Sequence, residues 1–153
     1  KGDKYYPNRE FIGKNASVLL EAAGIRADAN VKLIIAETKE DHPLVHTEML
    51  MPILPIVRVS DVDKAISLAV KAEKGNRHTA IMHSQNVTNL TQMAKEIQAT
   101  IFVKNGPSVA GLGYQSEGFT TLTIAGPTGE GLTSAKTFTR QRRCVLVDGF
   151  RII

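Results

Sequence analysis

Between residues 53 and 103, short β-branched runs alternate with amphipathic stretches, and this alternation restricts the fold more than any other feature of the chain. The first run is introduced by nine uncharged residues, 49–57, that include Pro52 and Pro55. Two prolines spoil a helix, and nine residues cannot cross a bilayer, so the segment reads as an extended approach to a buried strand at 53–59. A helix follows. Ser60 is placed to cap it, Asp63 completes a capping-box pattern, and Asp61 favours the positive helix end. Val62, Ala65, Ile66, Ala69 and Val70 form one stripe at helical spacing, and Gly75 follows Lys71 and Lys74 as the stop. Residues 78–83 (HTAIMH) read as a second strand. Residues 86–98 read as a second helix with Val87, Leu90, Ala94 and Ile97 inward, and 99–103 (ATIFV) as a third strand. Strand, helix, strand, helix, strand at this spacing gives two consecutive βαβ units, hence an α/β fold with a parallel sheet. Ligands gather beyond the carboxyl ends of such strands, which puts Ser84 and the turn at 104–107 near any site.

The flanks carry weaker signals. Residues 14–24 (KNASVLLEAAG) read as a helix capped by Asn15 or Ser17, with Val18, Leu19, Ala22 and Ala23 as its apolar face and Gly24 at its end. Residues 31–36 (VKLIIA) suit a strand. His42 and His46 have the spacing of zinc ligands on a helix. Pro43 opposes a helix there and a third ligand is lacking, so a surface loop is expected. Seven glycines fall between 106 and 131, but Gly111 and Gly113 lack the third glycine of a dinucleotide fingerprint. A winding loop and a ligand loop both remain open for this tract. Residues 119–125 (FTTLTIA) alternate as a strand, and 126–131 (GPTGEG) make a tight loop. Arg140, Arg142 and Arg143 precede Cys144-Val145-Leu146-Val147, a β-prone run. Few aromatics accompany the arginines, so they read as a solvated or ion-paired strand face rather than a nucleic-acid grip. Cys144 reads as a packed, structural cysteine.

With 153 residues and a net charge of +4, the chain fits one domain and does not demand a nucleic-acid partner. No run of about 18 apolar residues predicts a membrane span, and no apolar signal core opens the chain. One cysteine excludes an internal disulfide and suits a reducing cytoplasm. Lys1 in place of an initiator methionine leads to the expectation of a piece of something longer.

Four segments together carry a family resemblance: TEMLMPILPIVRVSDVDKAISLA, ATIFVKNGPSVAGLG, EGFTTLTIAGPTGEG and TFTRQRRCVLVDGF. They resemble the C-terminal part of the CoA-acylating aldehyde dehydrogenases of propanediol or ethanolamine utilisation. The resemblance implies oxidation of a short aldehyde with NAD through a cysteine thiohemiacetal and thioester, and transfer of the acyl group to CoA. It implies the later part of the catalytic domain at 1–131 and a C-terminal segment with an oligomerising β-arm at 132–153. It implies a homo-oligomer in the cytoplasm, of a kind housed in bacterial microcompartments. The family's nucleophilic cysteine belongs to an earlier segment and Cys144 does not match it, so no catalytic residue is expected here. The nucleotide-binding domain also falls outside the resemblance. Glu48 matches the glutamate of the family's E-x-[F/L]-x-P pattern, which implies contact with the nicotinamide ribose, and Leu50 stands where relatives often carry phenylalanine. The resemblance also places Thr128, Gly129 and Glu130 near the aldehyde or thioester tunnel. Without it, a non-catalytic α/β binding or oligomerisation module, or RNA binding through the terminal arginines, would account for the chain.

Overall fold

The computed structural model describes residues 5–125 and 131–147. The chain divides into two compact units, Lys1–Lys74 and Gly75–Ile153.

In the first unit, α1 (Ala16–Ala22) buries Ala16 and Leu19. Its expected face is rotated: Val18, Ala22 and Ala23 are exposed. Asn15 is the N-cap, without a side-chain hydrogen bond, and Gly24 turns the chain away at φ 76°. Strand β1 (Ile34–Glu37) pairs in parallel with β2 (Ile53–Ile56), with Ile34 beside Ile53 and Glu37 beside Ile56. The crossover between them contains a one-turn helix, α2 (Pro43–His46), where the sequence led to a loop. Proline is tolerated in a first turn because its missing N–H would lack an intrahelical partner there anyway. His42 supplies the cap, its Nδ1 accepting from the Leu44 N–H at 3.2 Å.

Helix α3 (Val62–Glu73) starts one residue later than the capping-box pattern implied. Asp61 is the N-cap and accepts from the Lys64 N–H at 2.8 Å, while the Ser60 hydroxyl donates to the other Asp61 oxygen at 2.6 Å. Ile66 is its one fully buried side chain, and Ala65 is exposed despite its place in the apolar stripe. Lys74 ends the helix in the left-handed region at φ 58°, with Gly75 following at 78°.

In the second unit, β3 (Thr79–Met82) and β4 (Ile101–Lys104) form a parallel pair joined through α4 (Val87–Ile97). This is the βαβ unit expected from the alternation. The other expected parallel strand, β2, takes β1 as its hydrogen-bonded neighbour. The core here is Leu90, Met93 and Ile97 of α4 with Ile101 and Val103 of β4. Val87, expected inward, is 72% exposed because it occupies the first helical position, and Met93 fills the face instead. After β4 a 3₁₀ turn, Ser108–Leu112, packs back on the strand. An antiparallel pair, β5 (Thr123–Ala125) and β6 (Gly131–Thr133), follows, shorter than the strand expected at 119–125. A second 3₁₀ turn spans Ala135–Phe138.

Candidate functional site

The glycine tract explains how the chain turns at the carboxyl end of β4. A Cβ on Gly111 would lie 2.2 Å from Cγ2 of Ile101 and 3.1 Å from Cγ2 of Val103. Only a bare Cα lets the 3₁₀ turn lie this close to the strand. Gly113 sits at φ +88°, and a Cβ there would lie 2.8 Å from the Thr120 Cα, so backbone passes backbone at this point. Thr121 ties the returning segment down: its N–H donates to Leu112 O at 3.1 Å and its hydroxyl to Thr133 O. Close packing thus accounts for Gly111 and Gly113.

The ends of β3 and β4 are joined by side-chain hydrogen bonds. Asn105, at φ 55°, accepts from the Ser84 N–H at 2.8 Å and donates its amide N–H to Ser84 O at 2.9 Å. The Ser84 hydroxyl then accepts from the Asn86 N–H at 3.0 Å. Asn86 caps α4, accepting from Thr88 N–H at 2.9 Å and Asn89 N–H at 3.2 Å. Asparagine suits this work because its short amide presents an acceptor and two donors and tolerates the left-handed region. The turn flagged from topology is thus built as a fixed rim. The particular role of Asn105 had only one sequence signal, an asparagine immediately after a strand and before Gly-Pro.

In the first unit, Glu48 lies between α2 and β2 and is exposed. Its carboxylate has no hydrogen-bond or ion-pair partner among the described residues. Leu50, two residues on, is 59% exposed and held at φ 54°. A branched aliphatic residue in the left-handed region is strained, and such strain concentrates at functional sites. The Gly13 N–H donating to Leu50 O at 3.0 Å fixes the turn. Leu50, Met51 and Pro52 line a groove of about 410 Å³ with Lys14, Asn15 and Lys32 among its other walls. Glu48 does not line it. The two lysines and Asn15 were not legible as site residues, because their approach depends on the turn at Leu50.

Thr128, Gly129 and Glu130 lie outside the described residues. Cys144 is exposed rather than packed, and no strand includes residues 144–147. Arg140, Arg142 and Arg143 are exposed, without ion pairs among the described residues, which is the solvated alternative of the two expected for them. His42 caps α2, and the His46 ring Nε2–H donates to Glu40 O at 2.7 Å, so both histidines have local partners. Around them, Lys64 pairs with Glu40 at 2.8 Å, and its hydrogen bond and charge hold the Glu40 carboxyl below its ordinary pKa. The Ser60 hydroxyl and the Lys64 N–H do the same for Asp61. No helix among the described residues is long and apolar enough to cross a membrane.

Each unit carries a parallel β-pair whose strands are joined through a helix, which places both in the α/β class. Residues 11–131 match the aldehyde dehydrogenase family, and the chain belongs to that family. It is 58% identical over 146 residues to a propanal dehydrogenase (CoA-propanoylating) of Salmonella typhimurium, covering 95% of this chain and 32% of that protein. Among solved structures, the Rhodopseudomonas palustris propionaldehyde dehydrogenase with bound propionyl-CoA superposes with a TM-score of 0.84 at 60% identity. That match covers 92% of this chain and 31% of the other. An engineered glycolyl-CoA reductase with bound NADP+ also gives 0.84, at 59% identity, over 92% of this chain and 32% of that one. The chain thus spans about a third of the length of these relatives.

Proposed function

We propose that the chain is the C-terminal part of an NAD-dependent, CoA-acylating aldehyde dehydrogenase acting on a short aldehyde. The observation that carries this reading is the 58% identity to a CoA-propanoylating enzyme along 95% of the chain. The nucleophilic cysteine and the nucleotide-binding domain belong to the remainder of the enzyme, and the isolated chain is inactive.

Glu48 is the residue of this chain assigned to the nicotinamide cofactor. An exposed carboxylate without another partner among the described residues can accept two hydrogen bonds from ribose hydroxyls, which orients the ring without joining the chemistry. The cofactor, when bound, accepts the hydride. Leu50 packs beside it, its unusual backbone angle setting the direction in which the chain leaves Glu48. Thr128, Gly129 and Glu130 border the acyl path. Residues 132–153 form the oligomerising segment, which fits a family match that ends at residue 131 and the high exposure of Val145, Leu146 and Val147. The proposed setting is the cytoplasm, within a microcompartment of the propanediol or ethanolamine type.

A chimera in which this chain replaces the matched stretch of the Salmonella enzyme tests the assignment of Glu48. Glu48→Gln removes charge-assisted acceptors worth about 1.5–3 kcal/mol, so kcat/KM for NAD is expected to fall by about one to two orders of magnitude with folding intact. Cys144→Ser leaves turnover unchanged. Unaltered NAD kinetics in Glu48→Gln would remove Glu48 from the site.

A further inference from the structure

The sequence contains one Asn-Gly pair, Asn105-Gly106, and the fold places it where β4 gives way to the first 3₁₀ turn. Every other asparagine precedes a residue that carries a side chain. An asparagine before glycine is chemically labile, because no Cβ on the next residue hinders its main-chain nitrogen from reaching the side-chain amide. In this fold the amide is already committed. Its Oδ1 accepts from the Ser84 N–H at 2.8 Å, and its Nδ2 donates to Ser84 O at 2.9 Å, just beyond the end of β3. The Asn105 N–H donates to Met82 O at 3.0 Å. Main chain and side chain of Asn105 are therefore both tied to β3 and the turn that leaves it.

We infer that Asn105-Gly106 is a deamidation site which the bridge to Ser84 keeps closed, and that its conversion records opening of the β3–β4 ends irreversibly. The inference stands on these residues and is independent of the functional reading. In the reaction the Gly106 nitrogen loses its proton and bonds to Asn105 Cγ, the Cγ–Nδ2 bond breaks, and Nδ2 departs as ammonia. Water then opens the cyclic imide at either carbonyl, leaving aspartate or isoaspartate. A water is consumed, an ammonia is released, and nothing is oxidised or reduced. To depart, Nδ2 must give up Ser84 O, and to become tetrahedral, Cγ must leave the plane in which both ends of the amide are held. Reaction is therefore confined to molecules in which the strand ends have opened. The product does not restore the bridge. A carboxylate accepts and does not donate, so aspartate at 105 brings an acceptor against the acceptor Ser84 O. Isoaspartate lengthens the main chain where the 3₁₀ turn packs back on β4. Because the Ser84 hydroxyl accepts from the N–H of Asn86, the cap of α4, the change extends to the start of that helix.

Peptide mapping by mass spectrometry tests this on the chain held in mildly alkaline buffer, with and without denaturing urea. In urea, Asn105 is expected to convert faster than any other asparagine of the chain, and Gly106→Ala to slow it severalfold. In native buffer its conversion is expected to be at least about tenfold slower than in urea. Asn86→Ala, which removes the cap beside the bridge, is expected to raise the native rate about fivefold. Asn105→Asp, the product installed directly, is expected to melt about 5 °C or more below the parent. Equal rates of Asn105 conversion with and without urea would overturn the protective role of the bridge, and no conversion in urea would remove the site altogether. A native rate unmoved by Asn86→Ala, or an Asn105→Asp variant as stable as the parent, would overturn the link between conversion and the strand ends.

Discussion

Replacing Gly111 by alanine places one methyl group where the 3₁₀ turn meets β4. The added Cβ would stand 2.2 Å from Cγ2 of Ile101, whereas carbon atoms rest at about 3.5–4.0 Å, so the two must separate by more than an ångström. Ile101 is 6% exposed and paired with Thr79 of β3, so it cannot retreat without disturbing the ladder. Overpacking of this kind costs about 1–3 kcal/mol. Gly106→Ala is the matched control: its Cβ would meet Val103 Cγ1 at 3.4 Å, an ordinary contact, and the change is expected to stay within about 0.5 kcal/mol. Urea denaturation of the isolated chain, read as a midpoint shift at constant slope, measures both. Ile101→Ala destabilises the parent by about 2–5 kcal/mol, yet it removes the obstructing Cγ2, so in the Gly111→Ala background its cost shrinks by about 1 kcal/mol or more. Equal midpoints for the alanine variants at 106 and 111, or strict additivity of the double variant, would refute the close approach of turn and strand.

Asn86→Ala removes the acceptor of two N–H groups at the start of α4 and is expected to cost about 1 kcal/mol, read by the same denaturation; Asn86→Asp keeps the cap and most of the stability. Asp61 and Glu40 have carboxyls held below their ordinary pKa in the folded chain, so the stability they contribute is present above the unfolded values near 4 and is lost as pH falls through the lower folded values. The melting temperature is therefore expected to decline on the acid side, and less steeply in Asp61→Asn, which caps the helix without titrating; identical pH profiles would contradict this.

The class of fold was legible because α3 and α4 carry helical periodicity between short β-branched runs, and β3, α4 and β4 appear within two residues of the expected positions. The N-cap of α3 was misplaced by one residue because Ser60, Asp61 and Asp63 compete for it, and geometry selects the carboxylate that reaches the Lys64 N–H. The one-turn helix α2 is not apparent from sequence because a proline opposes a helix interior but is tolerated in a first turn, where Pro43 stands. Helical faces were read only partly: periodicity fixes which residues align, but not which of them a neighbour covers, as Val87 and Met93 illustrate. Glu48 is conspicuous as the carboxylate at the head of the apolar run 49–57, but only the family pattern favours a ligand role over a solvated one, since an exposed carboxylate has no periodicity to betray it. The Asn105 bridge to Ser84 and the groove beside Leu50 depend on long-range pairing and on backbone angles, neither of which local sequence encodes.

Product analysis of the chimera with the Salmonella remainder tests the functional reading most directly. Purified chimera supplied with propionaldehyde, NAD and CoA is expected to form propionyl-CoA and NADH in equal amounts, while the isolated chain forms neither. A folded chimera that reduces NAD but releases propionate with CoA untouched, or that reduces no NAD at all, would contradict the assignment of this chain to a CoA-acylating aldehyde dehydrogenase.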